Sequence, residues 1–522
     1  MNPLKLILTN QIKLAFLFLN VLAFSGLAQT SDAQQKQKPL SVAGIFGDAM
    51  VLQQQTAAPI WGQAQPDARV KIRASWQNKA VVTNADQDGK WQTTVNTPAA
   101  GGPFVISVES GRQRIEFKNV MSGEVWICSG QSNMQWKMRG FGPDHWKEDV
   151  QKAQSPQIRL CQVPQTLSLK PQDDIVANWS QCTPRTVNSF SAVAYFFGNR
   201  LHKELNVPIG LISTNWGGSS AEAWVNPEVL KNDFPEFNKV LSGYDGLIEM
   251  HGPTHANGKG KPKNLNQRMP SVLYNQMIRP IVPFACRGVI WYQGESNVKH
   301  PIQYRKLFPA MIKNWRQEWG QGDFPFYFVQ IAPFHYKNEP LPVALLREAQ
   351  LQALSVPNTG MAVTMDVGNP ENIHPKKKKP VADRLARLAL AKDYGRTDIV
   401  YSGPQYAGYE AKRNKIRLRF EHVGSGLATR DGKEPSHFTI AGKDRVFHPA
   451  NAKIDGETIL VQSSEVSKPV SVRYGWGNAD APNLMNKEGL PSSSFRTDDW
   501  EIEPQKPKRS KPKQKIKKAS KN

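Results

Sequence analysis

Residues 123–136 read GEVWICSGQSNMQW. An apolar strand, Val125 to Cys128, runs straight into Ser129-Gly130-Gln131-Ser132-Asn133-Met134. In open α/β sheets, ligands bind beyond the carboxyl ends of the strands. A serine just past a strand, beside glycine and opening a helix, can present its hydroxyl next to free backbone N–H groups. Those groups, helped by the helix N-terminus, stabilise an oxyanion. Taken alone, the same stretch suits a polar turn or a helix cap, the commoner use of serine. Ser132 needs company before it means anything.

Three further segments supply it. STNWGGSSAEAW (213–224) follows another apolar strand, and its glycine pair lets backbone approach a ligand closely. In GVIWYQGESN (288–297) a strand ends in Gln293-Gly294-Glu295-Ser296-Asn297, where a side-chain amide can donate to a developing negative oxygen. DVGNPENIHP (366–375) lies between a strand over 361–365 and a helix carrying Val381, Leu385, Leu388 and Ala389. A serine nucleophile needs a general base, and histidine is tuned for that near neutral pH. The chain has 10 histidines, and His374 stands out because its junction matches the other three. Polar groups at four strand ends of one sheet can converge.

Working outward, short apolar runs alternate with helical periodicity from 121 to 395, which implies a parallel sheet covered on both faces. Tyr304, Leu307, Phe308, Met311, Ile312, Trp315 and Trp319 form one apolar helix face. Residues 38–120 read as a small all-β sandwich, with alternation at Val70–Ala74 and again at Phe104–Val108. Residues 396–503 return to β, where Ile416, Leu418 and Phe420 alternate with basic residues. There is no internal repeat. The whole chain has 522 residues, 39% hydrophobic and 21% charged, so sizeable cores are expected and wholesale disorder is excluded.

The formal charge is +23, but it is unevenly placed. Nine basic residues and no acids fall between Gln505 and Asn522, a Lys/Pro-rich tail expected to be disordered and able to contact polyanions without sequence readout. No specific nucleic-acid partner is expected. At the other end, Lys5 and Lys13 precede an apolar run, Leu14 to Phe24, followed by Gly26-Leu27-Ala28. That is the layout of a signal peptide cleaved after Ala28, with a spacer over 29–37, and the mature protein is expected to be exported to the periplasm or the medium. An uncleaved anchor is the competing reading, although about 11 apolar residues are too few to span a bilayer. Cys161 and Cys182 could close a disulfide loop, whereas Cys128 and Cys286 read as buried thiols. No Cys/His ligand spacing occurs, so neither a metal nor another cofactor is expected.

The four segments resemble the blocks of the SGNH (GDSL-like) hydrolases, and specifically the sialate O-acetylesterase-like family. GQSNM, WYQGESN and IHP carry the likeness, which extends to IFGDAMVLQQQTAAPIWG near the start and SVRYGWGNADAPNLMNKEGLPSSSFRTD near the end. The resemblance implies an α/β fold, a three-layer SGNH-hydrolase-like domain with a parallel sheet, flanked by N- and C-terminal all-β domains. It also implies an exported carbohydrate O-acetylesterase in which Ser132 is the nucleophile and His374 the base. The oxyanion hole would be the N–H groups of Ser132 and Gly218 (less surely Gly217) with the Gln293 side chain. Glu295, Asn297 and Asp366 would be supporting residues. Acetylated xylan or pectin is a rival substrate class, and a non-catalytic carbohydrate-binding protein on the same fold a rival of another kind.

One position departs from the superfamily pattern DxxH. Three residues before His374 stands Glu371, and the next is Asn372. Glu371 is the expected orienting acid, with Asp366 or no acid at all as the competitors. The run Lys376 to Lys379 after His374 is expected to be solvated, with a position near the pocket mouth as the alternative, and the following helix to begin near Lys379.

Overall fold

The apolar run at Val125 lies inside an 18-residue strand, β1 (Gln113–Gly130). The computed structural model describes residues 39–142, 144–258, 260–336 and 342–502. The expected signal peptide, the spacer and the basic tail lie outside the described residues. The first half of β1 pairs antiparallel with Gly101–Ser110 in the N-terminal sheets, and its second half enters the central sheet. One strand therefore runs through the expected domain boundary at residue 120.

The central sheet continues with β2 (Ser155–Gln162), β3 (Asn178–Cys182), β4 (Ile209–Asn215), β5 (Gly288–Tyr292), β6 (Phe326–Val329) and β7 (Thr359–Ala362). Their order is β3-β2-β4-β1-β5-β6-β7. All neighbours are parallel except β3, an antiparallel edge. Parallel strands need long crossovers and bury both faces, which is why these runs are apolar throughout rather than alternating.

Side-chain alternation sends the two faces to two cores. Val125, Ile127, Val289, Trp291, Phe326 and Phe328 join one cluster with the apolar face of α2 (Pro301–Trp319). Trp126, Cys128, Ile290, Tyr292, Tyr327 and Val329 join the other, against α1 (Ala192–Leu205) and α4 (Lys378–Asp393). The seven residues expected on the α2 face are all buried, and each such side chain contributes about 1.5–3 kcal/mol. A fourth helix, α3 (Ala344–Gln352), packs beside α2.

The flanking parts are all-β, as expected. In the N-terminal part, Ile60 and Val95 from one sheet share a core with Val70, Ile72, Ile106 and Val108 from the other. The C-terminal part has a seven-stranded antiparallel sheet with its own core around Ile416, Leu418, Ile459 and Val461. It is latched to the central domain by Arg347, fully buried on α3, which donates to the Gly475 and Gly477 carbonyls and to Ser494. Arg496 pairs with Glu348 one residue along. Among the described residues, no helix is long and apolar enough to cross a membrane.

The Cys161–Cys182 disulfide that the sequence allowed does not form; all four cysteines are free and buried. Pairing of β2 with β3 sets Cys161 opposite Trp179, and the two thiols point to opposite faces of the sheet, one into each core. Burial raises the pKa of all four thiols, to about 12 for Cys182 and Cys286. Thiol titration with a disulfide reagent should accordingly find no rapidly reacting thiol in the native protein and four after denaturation without reductant. Two missing thiols in the denatured sample would contradict this arrangement.

Candidate functional site

Gly130 ends β1 level with its neighbours: it is paired with Asn215 of β4 on one side and Tyr292 of β5 on the other. Its φ is +134°, and a Cβ there would sit 2.2 Å from the Tyr292 carbonyl oxygen, so only glycine lets the strands close up. The Gln131 N–H donates to Tyr292 O at 2.9 Å. The chain then enters the one-turn helix Ser132–Gln135, which brings Ser132 out of the end of the sheet.

His374 arrives from the long loop after β7. Its Nε2 lies 2.9 Å from Ser132 Oγ. The Trp136 ring sits over the imidazole, with centroids 4.6 Å apart, and Phe141 stacks on Trp136 in turn. Ser132, Gln135, Trp136, Lys137, Arg139, Gly140 and His374 line a cavity of about 460 Å3, open to solvent, within the range of small-molecule sites. Burial, with the Lys378 ammonium adding to it, pushes the His374 pKa down from the ordinary histidine value. The pair is thus poised as hydroxyl and neutral imidazole. A neutral imidazole can accept the hydroxyl proton.

The Ser132 turn and the loop after β4 each carry an uncommitted backbone donor. Neither the Ser132 nor the Gly218 N–H donates to a protein acceptor among the described residues. Gly217 differs, because its N–H donates to Gln135 Oε1 at 2.5 Å. Gly217 also passes close to the Ser132 turn, where a Cβ would meet Ser132 Cβ at 3.4 Å.

The structure turns the Gln293 amide elsewhere than the sequence suggests. Its Nε2 donates to Asn297 Oδ1 at 2.7 Å and to Ser219 O at 3.2 Å, so both protons are engaged. Asn297 cannot release it, since its Oδ1 also accepts from Ala221 N–H and its Nδ2 donates to Glu222. Gln293 and Asn297 thereby pin the 218–221 loop.

Glu371 and Asp366 do not reach the imidazole either. Successive turns, in which Asn369 Oδ1 accepts from Glu371 N–H and Asn372 Oδ1 from His374 N–H, roll the Glu371 side chain outward. It is 84% exposed and 3.4 Å from His335 Nε2. Asp366 is held by both nitrogens of a bidentate Arg384 at 2.7 and 2.6 Å. Among the described residues, no carboxylate bonds the His374 ring.

Sequence reasoning passed over the residues that tie the segments together. Gln131 Oε1 accepts from Gly294 and Ser296 N–H, and Asn133 Nδ2 donates to Glu295 Oε1 at 2.5 Å and to Ile373 O at 3.0 Å. Lys378 donates to Asn133 Oδ1 and is fully buried, although its neighbours Lys376, Lys377 and Lys379 are exposed. Three lysines are solvated as expected; the fourth is not. Its signal was available: Lys378 stands three and seven residues before Val381 and Leu385, on the apolar face of α4. Burial raises the Glu295 pKa, and its Oε2 has no partner. No group of three His, Cys, Asp or Glu among the described residues could hold a metal ion.

Comparison with known proteins shows what the chain is similar to. A family profile described as carbohydrate esterase, sialic acid-specific acetylesterase, matches residues 122–391. The sialate O-acetylesterase of Pongo abelii is 32% identical over 401 residues, covering 69% of this chain and 72% of that protein. That of Mus musculus is 30% identical over 483 residues, covering 83% and 89%. A crystal structure of a carbohydrate acetylesterase from Xanthomonas citri superposes with a TM-score of 0.77 at 38% identity, over 88% of this chain and all of that one.

The outward turn of Glu371 carries a direct consequence. Glu371→Gln should leave kcat/KM for an acetyl ester within about threefold of the parent, as removal of one exposed ion pair permits. A loss of about 10^3-fold or more, the size expected when the acid orienting a catalytic histidine is neutralised, would show that Glu371 swings in.

Proposed function

The chain belongs to the sialic acid-specific acetylesterase family of carbohydrate esterases, and on that premise we propose that it removes acetyl groups from sugar hydroxyls through an acetyl-enzyme on Ser132. It is a serine-type carboxylic ester hydrolase with carbohydrate acetylesterase function. The observation that carries the mechanism is the 2.9 Å contact between Ser132 Oγ and His374 Nε2 inside the cavity.

An alcohol is a weak nucleophile until a base takes its proton. His374 accepts that proton as Ser132 Oγ attacks the acetyl carbon. The carbonyl oxygen becomes an oxyanion, held by the uncommitted N–H groups of Ser132 and Gly218; each such donor is worth about 3–4 kcal/mol. Collapse of the tetrahedral intermediate breaks the bond to the sugar oxygen, which leaves with the proton from His374. Water, deprotonated by the same imidazole, then attacks the acetyl-enzyme and releases acetate. Gln293 and Asn297 act at one remove, by fixing the loop that presents Gly218.

An anionic sugar suits the pocket. Lys137 and Arg139 line it, and among the described residues no acidic side chain shares its walls and neither forms an ion pair. A sialate carboxylate would find both cations within the same cavity as the nucleophile. Export is the accompanying proposal, resting on the apolar run Leu14 to Phe24 and the small residues before Gln29; cell fractionation tests it, with the cytoplasmic fraction as the contradicting result.

Initial rates with p-nitrophenyl acetate test the chemistry. Ser132→Ala should lower kcat by about 10^3-fold or more, and retention of activity would overturn the assignment. Because His374 must be neutral to act and its pKa is depressed, kcat/KM should hold on the alkaline side and fall only below the ordinary histidine range. An acid limb above that range would contradict the reading. Arg139→Ala should raise KM for an O-acetylated sialic acid about tenfold, while leaving kcat for p-nitrophenyl acetate within about twofold. An equal change on both substrates, or on neutral acetylated xylan, would point to a neutral sugar.

A further inference from the structure

The mechanism leaves a buried lysine beside the reacting pair unused. Lys378 is fully buried at the first turn of α4, next to the Ser132–His374 pair but outside the cavity lining. A buried ammonium is costly unless paired and hydrogen-bonded, so its surroundings show what the site gains from it. Its Nζ donates to the Asn133 side-chain oxygen, and it lies 5.4 Å from the centre of the Tyr292 ring. The Asn133 amide nitrogen in turn donates to Glu295 Oε1 and to the Ile373 carbonyl. Asn133 directly follows Ser132, and Ile373 directly precedes His374. One side chain thus joins the backbone on either side of the reacting pair.

We propose that Lys378 is a positioning residue for the esterase reaction, locking Asn133 so that Ser132 and His374 stay in register and keeping the imidazole in its proton-accepting form. The inference rests on the reading of Ser132 as nucleophile and His374 as base. It accounts for how the histidine is held without a carboxylate on its ring. Trp136 covers one face, Ser132 Oγ fixes Nε2, and the Asn133 bond to Ile373 O fixes the backbone from which the ring hangs.

The electrostatics agree with that placement. The titratable groups facing Lys378 are Glu295 and Tyr292 from β5 and the segment after it, and His374 from its own loop. From the nucleophile segment it meets the neutral Asn133. Burial lowers the Lys378 pKa to about 7, with Glu295 opposing the fall. Tyr292 stays neutral, its pKa driven up by burial. His145 bonds the Lys376 carbonyl, and the Glu371–His335 pair faces outward. Lys378 is the one charge that adds to burial in depressing His374. As pH falls, Lys378 takes its proton first, and its positive charge then resists protonation of the imidazole. Removing the charge must therefore raise the His374 pKa.

The test is the pH profile of kcat/KM for p-nitrophenyl acetate in the parent, Lys378→Met and Ser132→Ala, with folding followed by circular dichroism. The Met variant should show its acid limb moved up by about one pH unit. Its kcat should fall about tenfold or more, as slight misplacement of a reacting pair permits, with KM changed less than about twofold because Lys378 is outside the cavity lining. If Lys378→Met does not fold, Lys378→Gln, which keeps an uncharged donor for Asn133, carries the same comparison. An unmoved acid limb in a folded variant overturns the proposal, as does failure of both variants to fold, since the lysine would then hold the structure rather than tune the histidine. Activity surviving in Ser132→Ala would instead overturn the reading on which the proposal rests.

Discussion

The parallel pairing of β4, β1 and β5 is the constraint on which the site depends. Asn215, Gly130 and Tyr292 lie in one hydrogen-bonded row, so the three loops that follow leave the sheet at the same level. Side chains on separate loops then meet because their strands are in register, and a shift of one residue would also exchange the two faces of each strand. The approach at Gly130, closer than any Cβ allows, keeps β1 and β5 together where the nucleophile turn begins. The two cores on either side of the sheet make that row rigid. Its last residues can therefore hold the Ser132 turn at fixed geometry.

Around this row the protein uses neutral amides where a carboxylate might have stood. Gln131, Asn133, Gln135, Gln293 and Asn297 each bond to a neighbouring loop rather than outward. Two carboxyls close to the site are drawn off, Asp366 by Arg384 and Glu371 by solvent and His335. The charge that bears on the imidazole is that of Lys378, with the buried Glu295 carboxyl on the far side of Asn133. In the proposed mechanism such a site would favour a neutral base before reaction and leave the imidazolium less stabilised after it, promoting return of the proton to the departing sugar oxygen. Backbone donors, whose dipoles are fixed by the fold, are left to hold the negative charge.

Much of this could be read in the sequence, and the reason is periodicity. Apolar runs bounded by glycine and polar turns marked the strands, and the 3.6-residue pattern of Tyr304 to Trp319 marked a helix face that is buried throughout. Ser132 and His374 stood out because polar residues at several strand ends of one sheet can converge, and the structure sets the two 2.9 Å apart. What failed was orientation. Composition cannot say which way Gln293 turns its amide or that Asx turns at Asn369 and Asn372 roll Glu371 outward. The cysteines misled in the same manner, since β2–β3 register decides which face each thiol occupies. Lys378 was hidden by its neighbours: a run of four lysines reads as solvated, and only the phase of α4 separates the buried one from the rest.

The central claim is that Ser132 forms the covalent acyl-enzyme, and active-site labelling tests it most directly. The intact protein would be treated with a fluorophosphonate, which transfers its phosphonyl group to an activated serine with loss of fluoride, and the adduct mapped by peptide mass spectrometry. The account predicts one adduct per chain, on the peptide carrying Ser132, formed at a rate that falls away when His374 is replaced by alanine. An adduct on another serine, or none in a folded protein that hydrolyses acetyl esters, would contradict it.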